Sequence, residues 1–149
     1  MKLISTRQAS ISDLDVIAPF FDAYRQFYGK TTDLGAAHTF LSNRLKQNES
    51  VIFLAFQDEL AIGFTQLYPT FSSVSMAPVY VLNDLYVSSA GRGQGVGTQL
   101  LSAAASFAKS AGAVRLNLNT DIQNTIAQSV YEAAGWVRDQ HYYMYQLDL

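Results

Sequence analysis

Three glycines alternate through Arg92-Gly93-Gln94-Gly95-Val96-Gly97, between an apolar run at 79–87 that reads as a strand and a helically patterned run at 98–111. A glycine-rich turn from a strand into a helix lets the backbone approach a ligand closely. It also aims the unpaired N–H groups of the first helical turn, and the positive end of the helix dipole, at an anion. The chemistry implied is phosphate binding, and so a nucleotide-bearing cofactor. A Walker loop would need Gly-Lys-Ser/Thr, but Gly97 is followed by Thr98 and no lysine occurs between Arg92 and Ala108. A dinucleotide fingerprint would need Gly-x-Gly-x-x-Gly and an acid about twenty residues on, and 98–120 holds no carboxylate.

Two further groups could do chemistry. Asp84 is a carboxylate inside the apolar strand, where burial would raise its pKa and make it a usable proton acceptor; a satisfied structural carboxylate at a bulge is the alternative. Asn124 and Tyr131 stand seven residues apart, two helical turns, so they share a stripe with Ala127 between them. A helix cap and a packed ring would be the ordinary reading of that pair. There is no cysteine, which removes a thiol nucleophile, disulfides and cysteine-ligated zinc together, and His38 and His141 are too far apart for a metal motif. No Gly-x-Ser-x-Gly elbow is present.

The elements that must position these residues follow from periodicity. Residues 3–9 read as an edge strand, and Ser10 or Ser12 caps a helix with Leu14, Ile17, Ala18 and Phe21 at 3–4-residue spacing. A second helix is expected over 35–47, then an antiparallel hairpin from 51–56 and 60–68. A serine-rich loop at 69–77 leads to the strand at 79–87, nearly continuous in apolar character and so expected to be central. After the glycine loop come a helix stopped by Gly112, a strand at 114–119 and a helix from Asn124 or Thr125 to Ala134 stopped by Gly135. Trp136-Val137 and 141–147 are expected to close the sheet. The order β-α-α-β-β-β-α-β-α-β makes an α/β (α+β) fold, a mixed sheet flanked by helices.

At 149 residues the chain suits one domain, 1–149, able to bury about two thirds of its unfolded surface. A formal net charge of −2 without a basic run argues against nucleic acid, and no apolar run approaches the ~20 residues of a membrane span. The N-terminus lacks the features of a signal peptide, so a cytoplasmic location is expected. Self-association into a homodimer is left open.

Arg92-x-x-Gly95-x-Gly97 resembles the acetyl-CoA pyrophosphate loop of the GNAT superfamily of N-acetyltransferases. The resemblance extends to Leu82-Asn83-Asp84-Leu85-Tyr86-Val87 before the loop and to Asn124-x-x-Ala127-x-x-x-Tyr131-x-x-x-Gly135-Trp136 after it, in the same order and spacing. It implies acetyl-CoA as cosubstrate, no metal, and direct attack of an amine on the thioester without a covalent enzyme intermediate. It implies cofactor contacts from the backbone of Leu85, Tyr86 and Val87, from the loop Arg92, Gly93, Gln94, Gly95, Val96, Gly97 and Thr98, and from Asn119, Asn124 and Ala127. Tyr131 would protonate the leaving thiolate, and Asp84 would take the amine proton directly or through water.

Substrate contacts are expected from the first helices, including Tyr24 and Tyr28, and from Asn83. Polyamine enzymes of the superfamily carry Glu-Asp where this chain has Asn83-Asp84, which puts a polyamine in doubt. The chain also loosely resembles the branch of small acetyltransferases that acts on polyamines, lysine analogues, amino acids or histone tails, which implies a small-molecule primary amine as the acceptor and leaves the molecule open. Peptide or protein acetylation, and a non-catalytic CoA-binding module, are the alternatives.

Overall fold

The computed structural model describes residues 2–149. One compact unit ends at Asn119 and a second spans Thr120–Leu149. The first unit is built on a mixed five-stranded sheet in the order β1-β2-β3-β4-β5: β1 (Ile4–Gln8), β2 (Val51–Gln57), β3 (Leu60–Ser72), β4 (Ala77–Val87) and β5 (Leu116–Asn117). β1 to β4 are antiparallel neighbours, and β4 and β5 run parallel.

The unbroken apolar run of β2 is explained by burial on both faces. Ile52 and Leu54 join Ile17, Phe21, Leu41 and Phe64 beneath α1 (Leu14–Phe27) and α2 (Leu34–Lys46). Phe53 and Ala55 point the other way, to Ile62, Val96 and Leu100 beneath α3 (Val96–Ser110). The alternation of strand side chains makes this possible, since neighbours in sequence serve opposite cores. The α1–α2 connection is held by Asp22, buried at 6% exposure, whose carboxylate accepts from the Thr32 hydroxyl (2.6 Å), the Asp33 N–H (2.8 Å) and the Gln26 amide (3.1 Å). Those bonds, the Thr32 hydroxyl first, lower its pKa.

Ser10 opens a short 3-10 turn before α1, as a helix-capping residue should. Its N–H donates to Asp13 Oδ2 at 2.8 Å, and Asp13 also takes a two-pronged bond from Arg7 on β1 (2.9 and 2.8 Å). The β2–β3 hairpin forms on Asp58-Glu59 with Asp58 at φ 55°, a conformation aspartate tolerates better than most residues.

Three expectations are corrected. The serine-rich loop is shorter than the 69–77 anticipated, because Pro69–Ser72 pair with β4 down to Ser72 opposite Ala77; cross-strand pairing there outweighs the turn composition. β5 keeps only two residues of the strand expected at 114–119, since only Tyr80–Leu116 and Val81–Asn117 find ladder partners. The second unit holds α4 (Thr125–Ala133), ended by Gly135 at φ 94°, and no closing strand forms over 136–147. Alternating apolar residues become a strand only where a neighbouring ladder takes their N–H and C=O groups.

Candidate active site

The site begins with a bulge. Gln66 lies opposite Asp84 and Leu67 opposite Leu82, so Asn83 is an extra residue on β4. Its effect is visible on both sides of it. Before the bulge, Tyr80 packs edge-on against Phe107 of α3 (5.4 Å); beyond it, Leu85 and Val87 face α3, while Tyr86 faces the α1 core. In a regular strand Asp84 would share the face of Tyr80 and point at α3. The inserted residue sends it to the α1–α2 side instead.

There Asp84 is 1% exposed and held at both oxygens. Gln66 Nε2 donates to Oδ2 (2.5 Å) and Asn83 Nδ2 to Oδ1 (2.8 Å). Gln66 is itself wholly buried and accepts from the Ser50 hydroxyl at 2.6 Å. An ionised carboxylate only accepts, so the Gln66 amide nitrogen must face Asp84 and its carbonyl oxygen must face Ser50. Desolvation dominates the electrostatics and pushes Asp84 up to about 6, opposed by the bonds from Asn83 and Gln66.

Asp84 lies at a cleft of about 480 Å³. Its walls are aromatic, Phe21 and Tyr24 from α1, Phe40 from α2 and Tyr68 from β3. The Tyr24 hydroxyl donates to the Asn83 carbonyl at 2.8 Å, tying α1 to the bulge. Burial first, and the charge of Asp84 second, raise the Tyr68 pKa, so this phenol stays protonated. Arg25 also lines the cleft, half-buried.

On the other side of the bulge β4 and β5 part company, their pairing ending at Val81 and Asn117. The bulge also reverses which backbone groups face outward. The Tyr80 N–H points to β5, bonding Arg115 O, whereas the Ser88 N–H points to β3, bonding Ile62 O. Alternating back from Ser88, Tyr86 bonds β3, while Leu85 and Val87 turn their N–H and C=O groups to the open side.

The loop after β4 has Gly93 and Gly95 at φ 72° and 77°, and α3 starts at Val96 with no acidic residue in its first turn. A Cβ built on Gly93, Gly95 or Gly97 would meet nothing within 4 Å, so the backbone borders open space. The N–H groups of Val96, Gly97 and Thr98 have no carbonyl four residues back inside the helix. An anion cradle and an open strand edge thus follow one another along the chain, which fits a long ligand with a pyrophosphate and an amide-bearing arm. Gln94 is braced by bonds to Ala90 O (2.8 Å) and from Gln57 (2.8 Å), and Arg92 Nε reaches Val87 O at 3.4 Å.

The model of the acetyltransferase (GNAT) family matches residues 17–136. The chain belongs to that family. It is 47% identical over 146 residues, 98% of each chain, to the Bacillus subtilis (strain 168) protein named "Uncharacterized N-acetyltransferase YhfO". It is 42% identical to a solved probable acetyltransferase, with a TM-score of 0.93 over 97% of both chains. At 22% identity it shares the fold of an aminoglycoside N-acetyltransferase, AAC(6')-Iy, solved with CoA, with a TM-score of 0.82 over 100% of this chain and 97% of that one. The protein is therefore an acetyl-CoA-dependent GNAT acetyltransferase. Among the described residues, no helix is long and apolar enough to cross a membrane, and no group of three His, Cys, Asp or Glu could hold a metal.

Of the residues anticipated from sequence, Asp84, Asn83 and Tyr24 meet at the cleft, while the glycine loop and Leu85–Val87 line up along the splayed edge of β4. Tyr28 caps the C-terminus of α1 and leans edge-on against Tyr24 at 5.0 Å, outside the cleft lining. Asn119 follows β5 at the end of the first unit. Within the second unit, Asn124 is the N-cap of α4, its Oδ1 accepting from Ala127 N–H at 3.2 Å, and Tyr131 lies 6.1 Å from the Trp136 ring. Arg25 and Tyr68 belong to the first helix and to the segment before the central strand, where acceptor contacts are expected from sequence, whereas sequence reasoning missed Ser50 and Gln66. Gln66 had a signal, a lone amide in the apolar run at 60–68; Ser50 had none.

Proposed function

We propose that the chain works as one N-acetyltransferase domain that acetylates the primary amine of a small molecule, with Asp84 as the proton acceptor. The observation that carries this reading is the buried carboxylate at an aromatic-lined cleft, raised to about 6 by desolvation. A base with a pKa near the working pH is both available and effective. The rings suit an ammonium by cation–π contact until its proton is passed on.

In the step proposed, the ammonium gives its proton to Asp84 directly or through water. The neutral nitrogen forms a bond to the acetyl carbon, the carbon–sulfur bond breaks, and the thiolate takes a proton from Tyr131; the second proton of the acylated nitrogen returns to the Tyr131 phenolate through water, leaving a neutral amide, and Asp84 releases its proton to solvent. Tyr131 is assigned that role by its place in the family motif, as are Asn124 and Ala127 as cofactor contacts. The outward amides of Leu85 and Val87 and the helix start at Gly95 to Thr98 are assigned the pantetheine and pyrophosphate.

The test is release of free CoA with a panel of amines. Wild type should turn over at least one small amine, and Tyr131→Phe should lose roughly 10- to 1,000-fold in rate with CoA affinity kept. Wild-type turnover in Tyr131→Phe would reduce that residue to packing. Consumption of acetyl-CoA with no small amine, but with an N-terminal peptide, would overturn the small-molecule reading.

A further inference from the structure

We propose that the acceptor is an amine that also carries a carboxylate, an amino-acid-like zwitterion, with its amine at Asp84 and its carboxylate at Arg25. The proposal rests on the reading of Asp84 as the group that receives the amine. It starts from charge: the cleft is lined by one carboxylate, Asp84, and one guanidinium, Arg25, set among aromatic rings.

Arg25 is not spent elsewhere. The ion pairs among the described residues are Arg7–Asp13, His38–Asp15, Arg44–Glu49 and Arg138–Glu132, and none involves Arg25. The carboxylate that feels its charge, Asp22, already accepts three hydrogen bonds from Thr32, Asp33 and Gln26. Asp22 is therefore committed to the α1–α2 connection. The neighbour Tyr24 is anchored to the Asn83 carbonyl, so the turn of α1 that carries Arg25 is fixed relative to the bulge that carries Asp84.

The guanidinium of Arg25 offers a planar fork that matches a carboxylate at two points, and it repels cations. A polycationic acceptor would bring a second ammonium into the field of Arg25, whereas a zwitterion satisfies both ends of the cleft. The guanidinium thus favours one class of acceptor and disfavours the other.

The decisive comparison uses acceptors that differ only in the carboxylate, lysine against 1,5-diaminopentane and ornithine against 1,4-diaminobutane, with spermidine and kanamycin alongside. For full-length wild type, kcat/KM should favour the carboxylate-bearing partner by about 10- to 100-fold, the worth of a charge-assisted pair of hydrogen bonds. Arg25→Gln should bring that ratio to within a few-fold of one by raising KM for the amino acid with kcat little changed. Arg25→Lys should fall between. The acetyl-CoA-induced rise in melting temperature, kept in both variants, shows that they are folded.

The inference is overturned if the diamines, spermidine or kanamycin are the better substrates, or if the ratio survives in Arg25→Gln; the small-amine reading would then still stand. If acetyl-CoA binds and no small amine of either kind is acetylated, both fail.

Discussion

Asp84 owes its environment to three other residues: Asn83 turns it toward α1, and Gln66 and Ser50 keep an amide donor aimed at it. Gln66→Met removes a bond that favours the charged form, so the Asp84 pKa should climb further and the acid limb of the pH–rate profile should move to higher pH. An unmoved limb would mean that Gln66 only fills space. Asp84→Asn should lower the rate and abolish that limb while CoA binding persists. Because both Asp84 oxygens accept, the amide nitrogen of the variant would confront a donor unless a neighbouring amide inverts, either the exposed Asn83 amide or that of Gln66, whose inversion the Ser50 hydroxyl permits because it can also accept. The melting temperature of Asp84→Asn at pH 7 should therefore not fall below that of wild type, since the substitution also removes a charge that burial penalises. A clear fall would mean that no neighbouring amide inverts to match it.

At the scale of elements, α3 and β4 each depend on a glycine for a different reason. Gly95 has a left-handed backbone, so a side chain there is strained whatever space it has. Gly97 lies inside the first turn of α3, needs no such conformation and borders open space. Gly97→Glu should leave the fold intact and abolish the rise in melting temperature given by acetyl-CoA, by placing bulk and negative charge at the anion cradle. Persistence of that rise in Gly97→Glu would move the pyrophosphate elsewhere. Gly63 on β3 is a contact glycine: a Cβ would sit 2.8 Å from the Tyr86 carbonyl. Gly63→Ala must push β3 from β4 beside the open edge, and urea denaturation should show a loss of roughly 1–3 kcal/mol.

For the whole molecule, two carboxylates work in opposite directions with pH. Asp84 has a folded pKa of about 6, raised from 3.8, so its protonation contributes stability that is fully present below 3.8 and lost as pH rises through 6. Asp13, held at about 2 chiefly by the bond from Arg7, contributes stability present above 3.8 and lost as pH falls through 2. Asp22, lowered in pKa by Thr32 and Asp33, acts in the same sense as Asp13. These groups together should make the melting temperature rise as pH falls from 7 toward 4, then drop toward 2. Asp84→Asn should flatten the first part of that curve and leave the second. A wild-type curve that falls steadily from pH 7 would contradict the burial of Asp84.

Sequence alone determined the parts whose signal is local: the glycines that open α3, the 3–4-residue apolar spacing of α1, the antiparallel hairpin of β2 and β3, and the family motif from Leu82 to Trp136. Position in a fold was not local. The bulge at Asn83 is visible only in the register of β3 against β4, and only that register reveals that Asp84 points to α1 rather than α3. Ser50 and Gln66 are sixteen residues apart in sequence and become partners only when β3 folds back beside β2. The closing strands expected at Trp136-Val137 and 141–147 show the converse: apolar and aromatic residues supply the side chains of a strand, but the hydrogen bonds that make one belong to a neighbour the sequence does not name.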